Sequence, residues 1–171
     1  MILFKQLTVE MLPLLFTWLC QPHTAMVWPE PKVWPEFEKE WSEQLTTKFR
    51  YIAYLDNEPL GYIEYFHLSA DDRKIWHRSN IATPAIGTNL FVADPNKLGK
   101  GYGARMMVDI MKIIKEREPE CKAVIMDIPS ENHRAIAHYE KAGFKKQETY
   151  LMQYGNIPDL RPLLLMIYNF E

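Results

Sequence analysis

A chain of 171 residues, 47% of them apolar, falls within the size of one domain and can bury a core without disulfides or structural metals. Its formal net charge of −2, with acids and bases interspersed, leaves no electrostatic footprint for nucleic acid or an anionic membrane, so a small-molecule partner is expected. No apolar run reaches membrane-spanning length, Met1-Ile2-Leu3-Phe4-Lys5 lacks the pattern of a signal peptide, and Cys20 and Cys121 have no metal-like spacing. These features read as a reduced, cytoplasmic chain forming a single domain over residues 1–171.

Residues 2–8 read as a short strand, after which Thr8 can cap an apolar helix over 10–20 with Met11, Leu15 and Leu19 on one face. The stretch from His23 to Pro35, with its prolines and with Trp28 and Trp34, argues for an ordered loop. A second amphipathic helix is predicted over 35–47, with Phe37, Trp41 and Leu45 as its buried stripe. Strands over 49–55 and 60–68 follow, joined by Asp56-Asn57-Glu58-Pro59 as a hairpin. Residues 69–85 are polar apart from Ile75-Trp76 and long for a plain connection, which suits the lining of a site.

The next strand covers 86–93 and stops at Asp94-Pro95-Asn96. A helix over 104–118 then carries Met107, Ile110, Met111 and Ile114 as a core-facing stripe. Ala123 to Ile128 is a nearly all-apolar strand suited to burial on both faces. A helix over 132–142 ends at Gly143 as its C′ glycine, and strands over 144–153 and 163–169 flank a turn-rich 154–162. The order β-α-α-β-β-β-α-β-α-β-β gives a single mixed sheet with helices against it. Only its middle, strand-loop-helix-strand, reads as a parallel crossover.

Between that central strand and helix lies Leu98-Gly99-Lys100-Gly101-Tyr102-Gly103-Ala104. Glycines let consecutive N–H groups converge on an anion, and the helix N-terminus adds its free amides and positive dipole end, so the junction suits phosphate. A Walker loop fails because Gly101, not Ser or Thr, follows Lys100. The dinucleotide fingerprint is met literally by Gly99-x-Gly101-x-x-Ala104 with Asp127 ending the next strand, which keeps a dinucleotide-binding oxidoreductase as a distant alternative. Residues 94–98, which separate strand from glycine, and an antiparallel sheet ahead of the loop count against it.

Two separated blocks resemble the GNAT N-acetyltransferases. Gly87-Thr88-Asn89-Leu90-Phe91-Val92-Ala93-Asp94-Pro95 leading into Leu98-Gly99-Lys100-Gly101-Tyr102-Gly103 is similar to the family's central strand and coenzyme A loop. Asn132-His133-Arg134-Ala135-Ile136-Ala137-His138-Tyr139-Glu140-Lys141-Ala142-Gly143-Phe144 is similar to its helix beside the cofactor thiol. With Glu58-Pro59-Leu60-Gly61-Tyr62, the subgroup most resembled is the aminoglycoside 6'-N-acetyltransferases. The resemblance implies an α/β (α+β) GNAT fold: one mixed, mostly antiparallel sheet of six to seven strands flanked by about four helices.

It also implies acetyl-CoA as the cofactor and a small-molecule amine as the acceptor; the chain is expected as a monomer or homodimer, between which the sequence does not choose. By resemblance, the backbone of Phe91 and Val92 would hold the pantetheine arm and polarise the acetyl carbonyl. Amides from Leu98 and Gly99 through Lys100, Gly101, Tyr102 and Gly103 to Ala104 would hold the pyrophosphate. Asn132, with Ala135 beside it, would contact the pantetheine, and Tyr139 would protonate the leaving sulfur.

An aliphatic amine is mostly protonated at neutral pH, so acids are needed where it binds. Asp127, at the end of a buried strand, is the first candidate for amine binding or proton removal, directly or through water; it can equally cap local amides. Glu64, alternating with Tyr62 and Phe66, is either a second acid or a solvent-facing hairpin carboxylate. Many aminoglycoside acetyltransferases carry an acid where this chain has Asn89, which can bind an amine but cannot take its proton. Basic residues around Arg73-Lys74-Ile75-Trp76-His77-Arg78 would repel a polycationic acceptor, while Trp28, Trp34 and Trp76 are candidate aromatic walls or anchors.

The histidines offer no metal pair, since His133 and His138 lie on different faces of their helix, and no metal is expected. The expected function is acetyl transfer from acetyl-CoA to a primary amine, an aminoglycoside 6'-amine foremost. The alternatives are the same chemistry on a siderophore precursor or metabolite, and a coenzyme A-binding module without catalysis.

Overall fold

The computed structural model describes residues 1–25, 28, 33–45, 49–70, 81–153 and 159–170. Its seven strands are β1 (Leu3–Gln6), β2 (Phe49–Leu55), β3 (Glu58–His67), β4 (Ala85–Val92), β5 (Ala123–Pro129), β6 (Lys145–Gln153) and β7 (Leu160–Asn169), in the sheet order β1-β2-β3-β4-β5-β7-β6. Five α-helices are present among the described residues: α1 (Leu12–Leu19), α2 (Pro22–Ala25), α3 (Trp34–Gln44), α4 (Tyr102–Arg117) and α5 (His133–Lys141). The mixed, mostly antiparallel sheet expected from the order is present, with β4 and β5 its one parallel pair.

Several boundaries differ from the sequence expectation for identifiable reasons. Pro13 limits the α-helix to Leu12–Leu19, a 3-10 turn Val9–Met11 stands ahead of it, and Thr8 provides no side-chain cap. The segment expected to be wholly loop contains α2, and α3 starts one residue early because Pro35 is tolerated in a first helical turn. The β2–β3 turn is shorter than expected: Asp56 and Asn57 take φ of +51° and +68°, the geometry of a two-residue hairpin turn, so Glu58 and Pro59 already belong to β3. In α4 the helix begins two residues before Ala104, directly on Gly101.

Each face of the sheet is covered by the helices whose stripes match it. Met106, Met107, Ile110, Met111 and Ile114 of α4 pack with Ile136 and Tyr139 of α5 on one face, against Ile63, Tyr65, Val124 and Met126. Leu12, Leu15, Trp18, Phe37 and Trp41 of α1 and α3 cover the other face, against Ile52, Tyr62 and Phe91. Each fully buried side chain of this size contributes about 1.5–3 kcal/mol, so the two stripes hold the helices on the sheet.

The parallel pair sets the position of the site. β4 and β5 pair only from Ala85–Ala123 to Gly87–Ile125, then diverge, while β4 stays bonded to β3 through Val92 and β5 to β7 through Pro129. At the end of the pairing the Thr88 hydroxyl donates to the Ile125 carbonyl at 3.1 Å, taking the acceptor that a further rung would use. The Phe66 ring fills the space where a Cβ on Gly87 would stand, 2.6 Å away. The sheet therefore forks beyond Gly87 and Ile125.

Candidate functional site

The glycine loop lies at one side of the fork. Gly99 and Gly101 have φ of +68° and +83°, left-handed values that strain other residues. Gly101 is the N-cap of α4 and brings no side chain, and Arg105 N–H is the one bonded back to Gly101 O, at 3.0 Å, so the first amides of α4 are left for another acceptor. That is the backbone anion cradle anticipated from the sequence.

α5 forms the opposite wall, placed by caps at both ends. Asn132 Oδ1 accepts from Ala135 N–H at 3.1 Å as the N-cap, which leaves its Nδ2 for the cleft. At the other end Gly143, with φ of +97°, closes a Schellman motif in which Phe144 N–H donates to Tyr139 O and Gly143 N–H to Glu140 O, both at 3.0 Å. The Phe144 ring then meets Tyr139 edge-on with centroids 6.0 Å apart, fixing the phenol. Tyr139 is 6% exposed, and a Cβ on Gly103 would lie 3.2 Å from its hydroxyl, so glycine there leaves the hydroxyl its place on the cleft. Burial pushes its pKa well above the ordinary phenol value.

The cleft between these walls encloses about 460 Å³ and is also lined by Leu90, Phe91 and Val92 of β4. Of the residues singled out in the sequence, it brings together Phe91, Val92, Leu98 and the loop from Gly99 through Gly101 and Tyr102 to Gly103 and Ala104. Asn132, Ala135 and Tyr139 complete them on α5. Lys100 is the exception: its side chain is exposed and not on the cleft wall.

Five lining residues escaped the sequence reading: Leu90 and four polar ones. His23 of α2 reaches across the chain to Val92, its Nε2 3.3 Å from the carbonyl oxygen. Lys97, Arg134 and His138 supply positive or polar groups around the loop. The Arg134 guanidinium covers Gly99, and the His138 ring lies 3.0 Å from where a Cβ on Gly101 would stand. His138 Nδ1 donates to Arg134 O at 2.7 Å. Arg134 and His138, at i and i+4, share one face of α5, a spacing legible in the sequence.

The other side of the fork carries the candidate acceptor residues. Asn89 and Asp127 each stand two residues beyond the last rung, Gly87–Ile125, on the face of the sheet opposite α4 and α5, and both are half-buried. Glu64 is not a solvent-facing hairpin carboxylate: it is 1% exposed, and its oxygens accept from Arg50 Nε at 3.3 Å, Tyr62 Oη at 2.8 Å and Asn89 Nδ2 at 3.0 Å. The pKa of Tyr62 is raised by burial and then by the Glu64 charge, so its hydroxyl remains a donor. Trp28 packs edge-on to Tyr62 and Phe91, at 5.5 and 5.8 Å, and Trp34 packs on Phe16 at 5.3 Å. Trp76 and the basic run around it lie outside the described residues. Among the described residues no group of three His, Cys, Asp or Glu gathers to hold a metal, and no helix is long and apolar enough to cross a membrane.

The GNAT acetyltransferase domain family matches residues 9–152. The chain is 28% identical over 152 residues to aminoglycoside N(6')-acetyltransferase type 1 of Klebsiella pneumoniae, covering 85% of this chain and 74% of that protein. It is 24% identical over 138 residues to the lysine N-acyltransferase MbtK of Mycobacterium tuberculosis, covering 77% and 63%. The crystal structure of aminoglycoside acetyltransferase AAC(6')-Ib with coenzyme A and kanamycin superposes with a TM-score of 0.79 at 26% identity, over 99% of this chain and 95% of that one. A glycine cradle at a helix N-terminus beside a forked parallel pair, carried by a sheet that this family shares over its length, leads to one assignment: the chain belongs to the GNAT acetyltransferase family.

Proposed function

We propose that the protein transfers the acetyl group of acetyl-CoA to a primary amine of a small molecule, the 6'-amine of an aminoglycoside, in the cytoplasm. The observation that carries this reading is the fork itself, with an anion cradle and a buried phenol on one side and Asn89 and Asp127 on the other. The cleft suits the donor, because two left-handed glycines and the uncapped α4 terminus form a diphosphate cradle and about 460 Å³ adjoins it. Acetyl-CoA, when bound, supplies an activated acetyl thioester.

The chain's own residues then divide the work. Amides from Gly99 to Ala104 bind the diphosphate, with Lys97 and Arg134 adding charge that glycine amides lack. The Phe91–Val92 peptide turns its carbonyl toward Gly61 of β3 and so its Val92 N–H toward the fork, where it offers a hydrogen bond, and Asn132 Nδ2 adds another from α5. Asp127 attracts the cationic amine and takes its proton, directly or through water, and Asn89 orients it. Tyr139 holds a proton on Oη on the donor side, so one proton is accepted and one supplied at opposite ends of the reacting line.

Acetyl-CoA consumption with kanamycin, ribostamycin, lysine and spermidine tests the reading. Turnover is expected with the two aminoglycosides and N-acetylation at the 6'-amine by mass spectrometry. Turnover on lysine alone, the substrate class named for the mycobacterial relative, replaces the acceptor but keeps the reaction. Coenzyme A binding without turnover on any amine overturns the enzyme reading. The cradle has its own test: Gly101→Val forces a β-branched residue to φ of +83° beside the His138 ring. The strain is about 1–2 kcal/mol, and a roughly tenfold rise in KM for acetyl-CoA is expected by steady-state kinetics, with acceptor KM unchanged.

A further inference from the structure

Arg50, Glu64 and Asn89 stand directly opposite one another on β2, β3 and β4, one row across the sheet leading to the fork. The first two are a buried ion pair, 4% and 1% exposed, that no step of the proposed reaction uses. Arg50 is itself held: Nη1 donates to Gln44 O at 2.7 Å, and the guanidinium lies 4.5 Å over the Trp41 ring. Glu64, paired with a guanidinium, is a carboxylate and only accepts hydrogen bonds. The Asn89 amide therefore has a single orientation, with Nδ2 on Glu64 Oε1 at 3.0 Å. Because the amide is planar, Oδ1 is turned away from β3, toward the side on which β4 parts from β5. Asn89 is half-buried, so an incoming group can reach that oxygen.

We propose that the buried Arg50–Glu64 pair positions Asn89, so that Asn89 Oδ1 is presented as an uncharged hydrogen-bond acceptor for the substrate amine at the fork, across from Asp127. This rests on the acceptor reading above. Arg50 and Glu64 are positioning residues; Asn89 is the group that touches substrate. An amide oxygen accepts from an ammonium and from a neutral amine alike, whereas a carboxylate at this position would hold the unreactive ammonium more tightly than the amine that attacks. The division of labour follows: Asp127 provides charge, and Asn89 provides an aim that survives loss of the proton. A dipole fixed before the substrate arrives also needs no reorganisation during the reaction.

Steady-state kinetics with the best amine of the panel test this. Glu64→Gln can turn a donor toward Asn89 and so frees the amide; a roughly tenfold rise in acceptor KM is expected, with KM for acetyl-CoA and kcat at saturating acceptor within about twofold. Asn89→Ala is expected to raise acceptor KM by a similar factor. The double variant should be no worse than Asn89→Ala alone, since Glu64 acts only through Asn89. Should Glu64→Gln fail to fold with Arg50 unpaired, Arg50→Met/Glu64→Met removes both charges together, a change that buried pairs often tolerate, and the same acceptor KM rise is expected. Effects that multiply in the double variant, or variants that lower Tm while leaving acceptor KM unmoved, overturn the inference and leave the acetyltransferase reading standing. Loss of turnover on every amine by the unaltered protein overturns both.

Discussion

Tyr139→Phe lowers kcat about a hundredfold, the lower end of what general acid–base catalysis supplies, and leaves both KM values within a few-fold. The substitution removes one oxygen and keeps the ring, so the edge-on contact to Phe144 and the Schellman cap that places it survive. Thermal unfolding should shift by no more than a few degrees, which separates a lost proton from a lost fold. Burial raises the phenol pKa, so the hydroxyl stays protonated across the working range. For the unaltered protein kcat should therefore not fall between pH 7 and 9 on account of this group. The same direction has a stability consequence: folding favours the neutral phenol, a contribution full below the ordinary phenol pKa of about 10 and lost as the pH rises beyond it. Full activity in Tyr139→Phe overturns the assignment of the proton source.

Gly61→Ala, in the strand behind the cleft, is expected to be strongly destabilising for a single added methyl. Gly61 faces Val92 across the β3–β4 ladder, where a Cβ would collide with the carbonyl oxygen of Phe91 and lie 3.1 Å from Val92 Cα. Both obstacles are backbone, with no flexible side chain to swing aside, so the strands themselves must part. Such overpacking costs about 3 kcal/mol, which for a chain of this size is a Tm lower by roughly 6–12 °C in a calorimetric scan. The displaced backbone is the one lining the fork, so KM for acetyl-CoA should rise in whatever protein remains folded. The contrast is Gly87→Ala: there the obstacle is the far end of the Phe66 side chain and not backbone, and the loss should be smaller.

Much of the donor side was readable in one dimension because its chemistry is local. Gly99 and Gly101 precede α4 in the chain, and Asn132 and Tyr139 sit seven residues apart on one helix, so spacing alone puts cap, phenol and cradle in order. Alternation likewise told which strands were sided. It told nothing of depth: Tyr62, Glu64 and Phe66 share a face whether that face meets water or helices α1 and α3. Only the packing of distant segments turned Glu64 into a buried carboxylate that accepts from Arg50, Tyr62 and Asn89.

His23 shows the limit of spacing from another direction. It lies 69 residues from Val92, and no pattern in either segment announces their contact. The fork was equally hidden, because the point at which β4 and β5 stop pairing depends on Thr88 capturing the Ile125 carbonyl and on Phe66 filling the space over Gly87. The insertion of β7 between β5 and β6 is a further long-range choice.

The sequence by itself determined the order of elements, the glycine cradle at a helix N-terminus and the helix that carries Tyr139, since each depends on backbone conformation and on periodicity within about a dozen residues. The tertiary structure alone decided where the sheet opens, what buries Glu64 and which way Asn89 turns its oxygen. Those outcomes depend on contacts between distant segments, whose energy is realised only when all of them are packed at once.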